Sequence, residues 1–168
     1  GDVTVKYLVK GTSTEFTGKV DVGSYEVTAH FESASGNWTL ADITVTMTIQ
    51  AKELSDDSVS GIDTSYPYTS KPHTPLPTVK TTLSSGEATL AKDTDYTVSY
   101  STSDYTVGTT VTVTITGKGN YSGTVTRSFT IVKATLGFAW EGNETEWIYN
   151  AQPQGPVGKL TGVAENDT

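Results

Sequence analysis

Two histidines, His30 and His73, are the only imidazoles in this 168-residue chain, and neither has neighbours suited to chemistry. His30 falls in the alternating stretch YEVTAHF at 25–31, on the side of Glu26 and Thr28, which is expected to face water. His73 lies between Pro72 and Pro75 in a loop. No cluster of His, Asp and Glu with metal-ligand spacing surrounds either one, so both are expected to be inert. The serine-hydrolase elbow G-x-S-x-G, the zinc motif H-E-x-x-H and the phosphate-binding loop are absent. Without cysteine there is no thiol nucleophile, no disulfide and no Cys-ligated zinc. What remains is a carboxylate pair of the glycosidase kind. The 19 Asp and Glu residues supply the groups, but a small β-domain rarely supplies the deep pocket. The expectation is a protein that is not an enzyme, with no catalytic, cofactor or metal residues.

Asp56-Asp57 and Asp93-Thr94-Asp95 are the candidate calcium ligands. The EF-hand spacing is missing, and Asp at such positions commonly bonds its own backbone to make a turn. A strand-entry turn at 93–95 is therefore preferred over calcium. The aromatic rings are the stronger functional candidates. Trp140, Trp147 and Tyr149 form a candidate stacking platform for sugars, because aromatic faces offer large apolar area beside a polar edge. Packing in a core or between domains is the preferred reading of these rings, and the same choice applies to Tyr66 and Tyr68 beside Pro67. The triplets at Asn37, Asn120, Asn143 and Asn166 fit the N-glycosylation pattern, which a chain so rich in Thr and Ser meets cheaply.

The elements that must hold these residues read as strands. Thr makes up about a fifth of the chain, and Thr and Val favour half-buried pleated surfaces. At 109–116, TTVTVTIT alternates strictly, with Val111, Val113 and Ile115 on one side. At 125–131, VTRSFTI does the same, with Arg127 as the exception among inward positions. The turn-tolerant GKGNYSG at 117–123 joins them into an antiparallel hairpin with one wet face. YTVSY at 96–100, YEVTAHF at 25–31 and TVTMTI at 44–49 are further strands of this type.

Net charge is −8, with acidic residues spread along the chain. Phosphate backbones and anionic membrane surfaces require clustered Lys and Arg, so neither nucleic acid nor a membrane is expected as partner. No stretch approaches the ~18 apolar residues of a membrane span. Gly1 leads directly into a strand pattern, so the lack of a leader says nothing about compartment.

The strands repeat. Val22-Gly23 matches Val107-Gly108, shifted by 85 residues. Gly36-Asn37-Trp38 matches Gly119-Asn120-Tyr121, so Trp38 takes the place of Tyr121 at a hairpin end. Met47-Thr48-Ile49 matches Phe129-Thr130-Ile131, and Leu54 matches Leu136, both shifted by 82. At a shift of 81, YNAQPQGP at 149–156 matches YTSKPHTP at 68–75, and Trp147 replaces Tyr66. Asp93 and Asp95 recur at Asp167 and Asp2. Units of this length are domains in their own right rather than solenoid turns. The expected layout is a back half-repeat at 1–51, one complete repeat at 52–136 and a front half-repeat at 137–168. Half of a sandwich leaves strand edges unpaired and apolar faces wet. The C-terminal half is thus expected to complete the N-terminal half of another chain.

Tyr68, Pro72 and Pro75, the stretch DTDYTVSY at 93–100, Val107-Gly108 and TITGKGNYSG at 114–123 together resemble the MBG-type and related Ig-like repeats of bacterial surface proteins. KATL at 133–136 and AKEL at 51–54 look like their inter-domain joints. The resemblance implies a tandem array in a large, secreted, wall-attached protein, acting as stalk or adhesin with neighbouring repeats as partners. The expected fold is all-β, with tandem small antiparallel β-sandwich repeats of Ig type, and a β-grasp-like repeat as the alternative. The competing function is a module that binds carbohydrate or a host surface protein through exposed aromatics.

Overall fold

The computed structural model describes residues 3–19, 21–141 and 146–164. Asp2, Asn143, Asn166 and Asp167, which entered the turn and glycosylation readings, lie outside the described residues. The chain is all-β with several sheets, an architecture compatible with the sandwich class.

Three strands open the chain: β1 (Val3–Val9), β2 (Gly23–Ser33) and β3 (Ile43–Ile49). They form one antiparallel sheet in chain order. Directly opposed residues share a face, because side chains alternate along each strand. Val5 opposes Phe31, Tyr7 opposes Ala29, which in turn opposes Ile43, and Val27 opposes Val45. That face is apolar apart from Ser33, which opposes Val3. The other carries Lys6 opposite His30 and Glu26 opposite Thr46. The segment after β1 turns back along it, where Phe16 N–H donates to Tyr7 O at 2.7 Å. This is the longer connection that separates β1 from β2.

The central region begins with β4 (Lys52–Glu53) and a single 3-10 turn, Asp56–Ser58. It continues with β5 (Val59–Ser60), β6 (Ser65–Pro67), β7 (Thr78–Leu83), β8 (Gly86–Thr89) and β9 (Tyr96–Tyr100). It closes with β10 (Thr110–Gly117), β11 (Tyr121–Ser122) and β12 (Thr124–Val132). One sheet runs β6-β12-β10-β9 and the other β5-β7-β8. Between them lies the core, with Val79, Val113, Ile115, Phe129 and Ile131 nearly or wholly excluded from water. Tyr66 meets the Phe129 ring edge-on at 4.9 Å, a favoured aromatic geometry.

Two of the pairings are parallel. β6 pairs parallel with β12, and β4 pairs parallel with β11. Parallel neighbours need a long crossover, and the chain between β6 and β12 supplies one by building the opposite sheet on the way. The β-grasp alternative finds no support: the layer over the β9–β10–β12 sheet is itself a sheet, and the 3-10 turn is the only helical element among the described residues.

The chain closes with the antiparallel pair β13 (Gly137–Glu141) and β14 (Val157–Thr161). Every residue of both strands is exposed.

Candidate functional site

Trp140 sits on β13, with its ring edge-on to Phe138 at 5.0 Å. The two are neighbours because residues two apart on a strand share a face. Phe138 opposes Leu160 across the pair and Trp140 opposes Gly158. The absent side chain at Gly158 leaves room for the Phe138 ring, since a Cβ there would collide with it. The result is an exposed apolar patch of Phe138, Trp140 and Leu160.

The sequence-predicted platform is only partly assembled. Trp140 is 62% exposed, Trp147 40% and Tyr149 89%. Among the described residues the ring partner of Trp140 is Phe138, and no ring contact joins it to Trp147 or Tyr149. Phe138 was missed as a candidate although its i, i+2 relation to Trp140 was a usable signal.

The histidines have structural partners. His30 Nδ1 lies 2.8 Å from Asp42 Oδ1 on the polar face of the first sheet. His73 stacks on Tyr66 at 5.1 Å, and its Nε2–H donates to Pro67 O at 2.8 Å. His73 therefore ties the proline-rich loop to β6. Among the described residues no three His, Cys, Asp or Glu groups converge as a metal site would require.

Asp93 and Asp95 build a turn at the entry to β9. Asp93 adopts φ 68° and its N–H donates to Tyr96 O at 2.7 Å. Ala91 N–H donates to the Asp95 carboxylate at 2.8 Å, and Lys118 Nζ donates to Asp93 O at 2.7 Å. Asp104 makes a similar local cap. Its carboxylate accepts from the Thr106 hydroxyl, the Thr106 N–H and the Thr109 hydroxyl, and the Thr106 bonds hold its pKa below the usual carboxylate range.

Asn120 has a role its glycosylation-like triplet does not suggest. Its Oδ1 accepts from Val22 N–H at 2.8 Å, and its Nδ2 donates to Asp21 Oδ1 at 3.0 Å. Its backbone oxygen accepts from Lys52 N–H at 3.0 Å. One side chain thus clasps the segment before β2 to the β10–β12 hairpin, with β4 running alongside. A groove of about 340 Å³ is lined by Lys52, Asp57, Lys80 and Glu87, a mixed-charge set that selects no single ligand charge.

Compared with known proteins, the chain matches no family model, no curated protein and no solved structure.

Proposed function

We propose that this chain is a non-catalytic module of tandem repeats from a bacterial surface stalk or adhesin, extracellular and attached to the cell wall. The observation that carries the reading is a topological likeness. The β1-β2-β3 sheet and the β9-β10-β12 part of the central sheet have the same strand order, all antiparallel. The sequence correspondence, which aligns Met47 on β3 with Phe129 on β12, supports the reading as well. The Asn120 clasp supports it further, as a joint that sets one repeat against the next. Repeats joined this way extend reach without one large core, and an 85-residue unit buries only about 60% of its unfolded surface. The surface location rests on the resemblance of the repeat to bacterial surface arrays. A glycan and matrix-protein array tests the reading: a spacer gives no saturable binding.

The exposed Phe138–Trp140 pair favours a second reading, a carbohydrate- or matrix-protein-binding module using Trp140, Trp147 and Tyr149. Saturable binding that Trp140→Ala abolishes would establish it in place of the spacer.

A further inference from the structure

The β1–β3 region and the central region share no core. Among the described residues, the buried cluster runs from Leu54 to Ile131, and the half-buried residues packed on it also belong to the central region. Regions without a large apolar interface move relative to one another unless something specific holds them. We propose that Asn120 is a latch between the two. With its bonds made, the regions hold one angle; with them broken, the first region swings while both stay folded.

One jaw is fixed to the central region. Asn120 stands in the turn between β10 and β11. There Lys118 N–H donates to Asp95 O at 2.8 Å, Tyr121 N–H to Lys118 O at 3.1 Å and Lys52 N–H to Asn120 O at 3.0 Å. The other jaw is fixed to the first region. Asp21 and Val22 lead into β2, whose first residue, Gly23, opposes Ile49 at the end of β3. Tyr25 O–H donates to Asp21 O at 2.9 Å and ties that segment to its own sheet.

The covalent link runs beside the latch. The chain leaves the first sheet at Ile49, opposite Gly23, and enters the central region at Lys52, which pairs with Tyr121, the residue after Asn120. Gln50 and Ala51 lie between these strands. With Asn120 bonded, the angle is fixed by two neighbouring tethers. With Asn120 released, the regions pivot on residues 50–51.

The side chain answers both partners at once. Val22 N–H requires an acceptor and meets Asn120 Oδ1 at 2.8 Å. The Asp21 carboxylate requires a donor and meets Asn120 Nδ2 at 3.0 Å. A carboxamide carries both functions, whereas a carboxylate at this position would keep the acceptor, lose the donor and repel Asp21. Both bonds are exposed to water. Two such bonds bias the closed joint over the open one by roughly tenfold, which leaves the open form within reach.

Distances between spin labels at Thr46→Cys on β3 and Thr126→Cys on β12 test this on the whole chain, which has no other cysteine. Both positions are exposed. The expected result is one dominant distance. Asn120→Asp should broaden the distribution and lower the closed-to-open ratio by roughly tenfold, with the melting of the central region unchanged. Adding Asp21→Asn to Asn120→Asp should restore the dominant distance, because donor and acceptor then trade sides and Val22 N–H still meets an acceptor. Damage confined to the turn would not be repaired from the other region. A dominant distance that survives Asn120→Asp overturns the proposal, as does a distribution already broad without it, or a swap that restores nothing. The inference goes beyond the spacer reading and does not depend on it, so a positive glycan array leaves the latch standing, and a failed latch leaves the spacer standing.

Discussion

The β1-β2-β3 sheet and the β9-β10-β12 part of the central sheet share a strand order in two situations. Both are antiparallel, both alternate Thr with apolar residues, and both put their apolar residues on one face. In the central region that face lies under β5, β7 and β8, and Ile115 is 0% exposed. In the first sheet Val27 on the middle strand is 7% exposed, whereas Val45, opposite it on the outer strand β3, is 57% exposed. Binary pattern decides which face is apolar, and a second layer decides whether that face is a core. The difference sets where substitutions hurt.

The largest effect should come from Phe129→Ala. Deleting a fully buried aromatic costs about 3–5 kcal/mol, read as a fall in the denaturation midpoint of the central region. Val45→Ala, measured where single chains dominate, should cost under ~1 kcal/mol, because a side chain already in water loses little. Equal losses at the two sites would break the comparison.

Gly117→Ala sharpens it from the backbone side. A Cβ at Gly117 would meet the Ser122 main chain at 2.7 Å, where β10 and β11 approach most closely. Backbone cannot step aside as a flexible side chain can, so the expected loss is about 1–3 kcal/mol on the same midpoint.

Alkaline pH should act on the covered sheet and spare the bare one. Tyr96 O–H donates to Pro77 O at 3.2 Å, and Tyr100 O–H donates to Pro75 O at 2.8 Å, joining β9 to the opposite layer. Burial raises both phenol pKa values above the ordinary 10, against a smaller lowering by Lys92. A raised folded-state pKa stabilises fully below the unfolded value near 10 and is lost as pH climbs through the folded one. Melting of the central region should therefore hold constant up to about pH 10 and fall above it, and Tyr100→Phe should blunt that fall.

The smallest effect should come from Asn120→Ala. Two exposed side-chain hydrogen bonds join the two regions there, each worth about 1 kcal/mol or less. The denaturation midpoint should barely move, while hydrogen exchange at the Val22 amide should accelerate. An unchanged Val22 rate would show that the joint is held elsewhere.

Much of the first layer was legible in the sequence. β2, β3, β9, β10 and β12 follow from period-2 alternation, because a strand with one covered face must alternate. β5, β6, β7 and β8 were not. β5 and β6 have only two or three residues, SYP at 65–67 contains proline, and β7 reads TVKTTL with little apolar content. Short strands have too few positions for a period to show. Among the candidate site residues, the turn role of Asp93 and Asp95 was legible because the hydrogen bonds of such a turn join near neighbours in the chain. The Asn120 clasp was not, because its partners lie about a hundred positions away and nothing local marks them.

By itself, the sequence determined what is local: strands from alternation, turns from Gly, Asn and Asp, and the absence of thiol chemistry from the absence of Cys. Tertiary structure alone decided what is paired at a distance. It set β6 parallel to β12, seated His73 on Tyr66, and put Asn120 against Asp21 and Val22. It also covered the apolar face of the central sheet with a second sheet and left Val5, Tyr7, Ile43 and Val45 of the first sheet exposed. The physical reason is that alternation encodes a face and its polarity, whereas burial depends on which other surface reaches that face, and no residue carries that information alone.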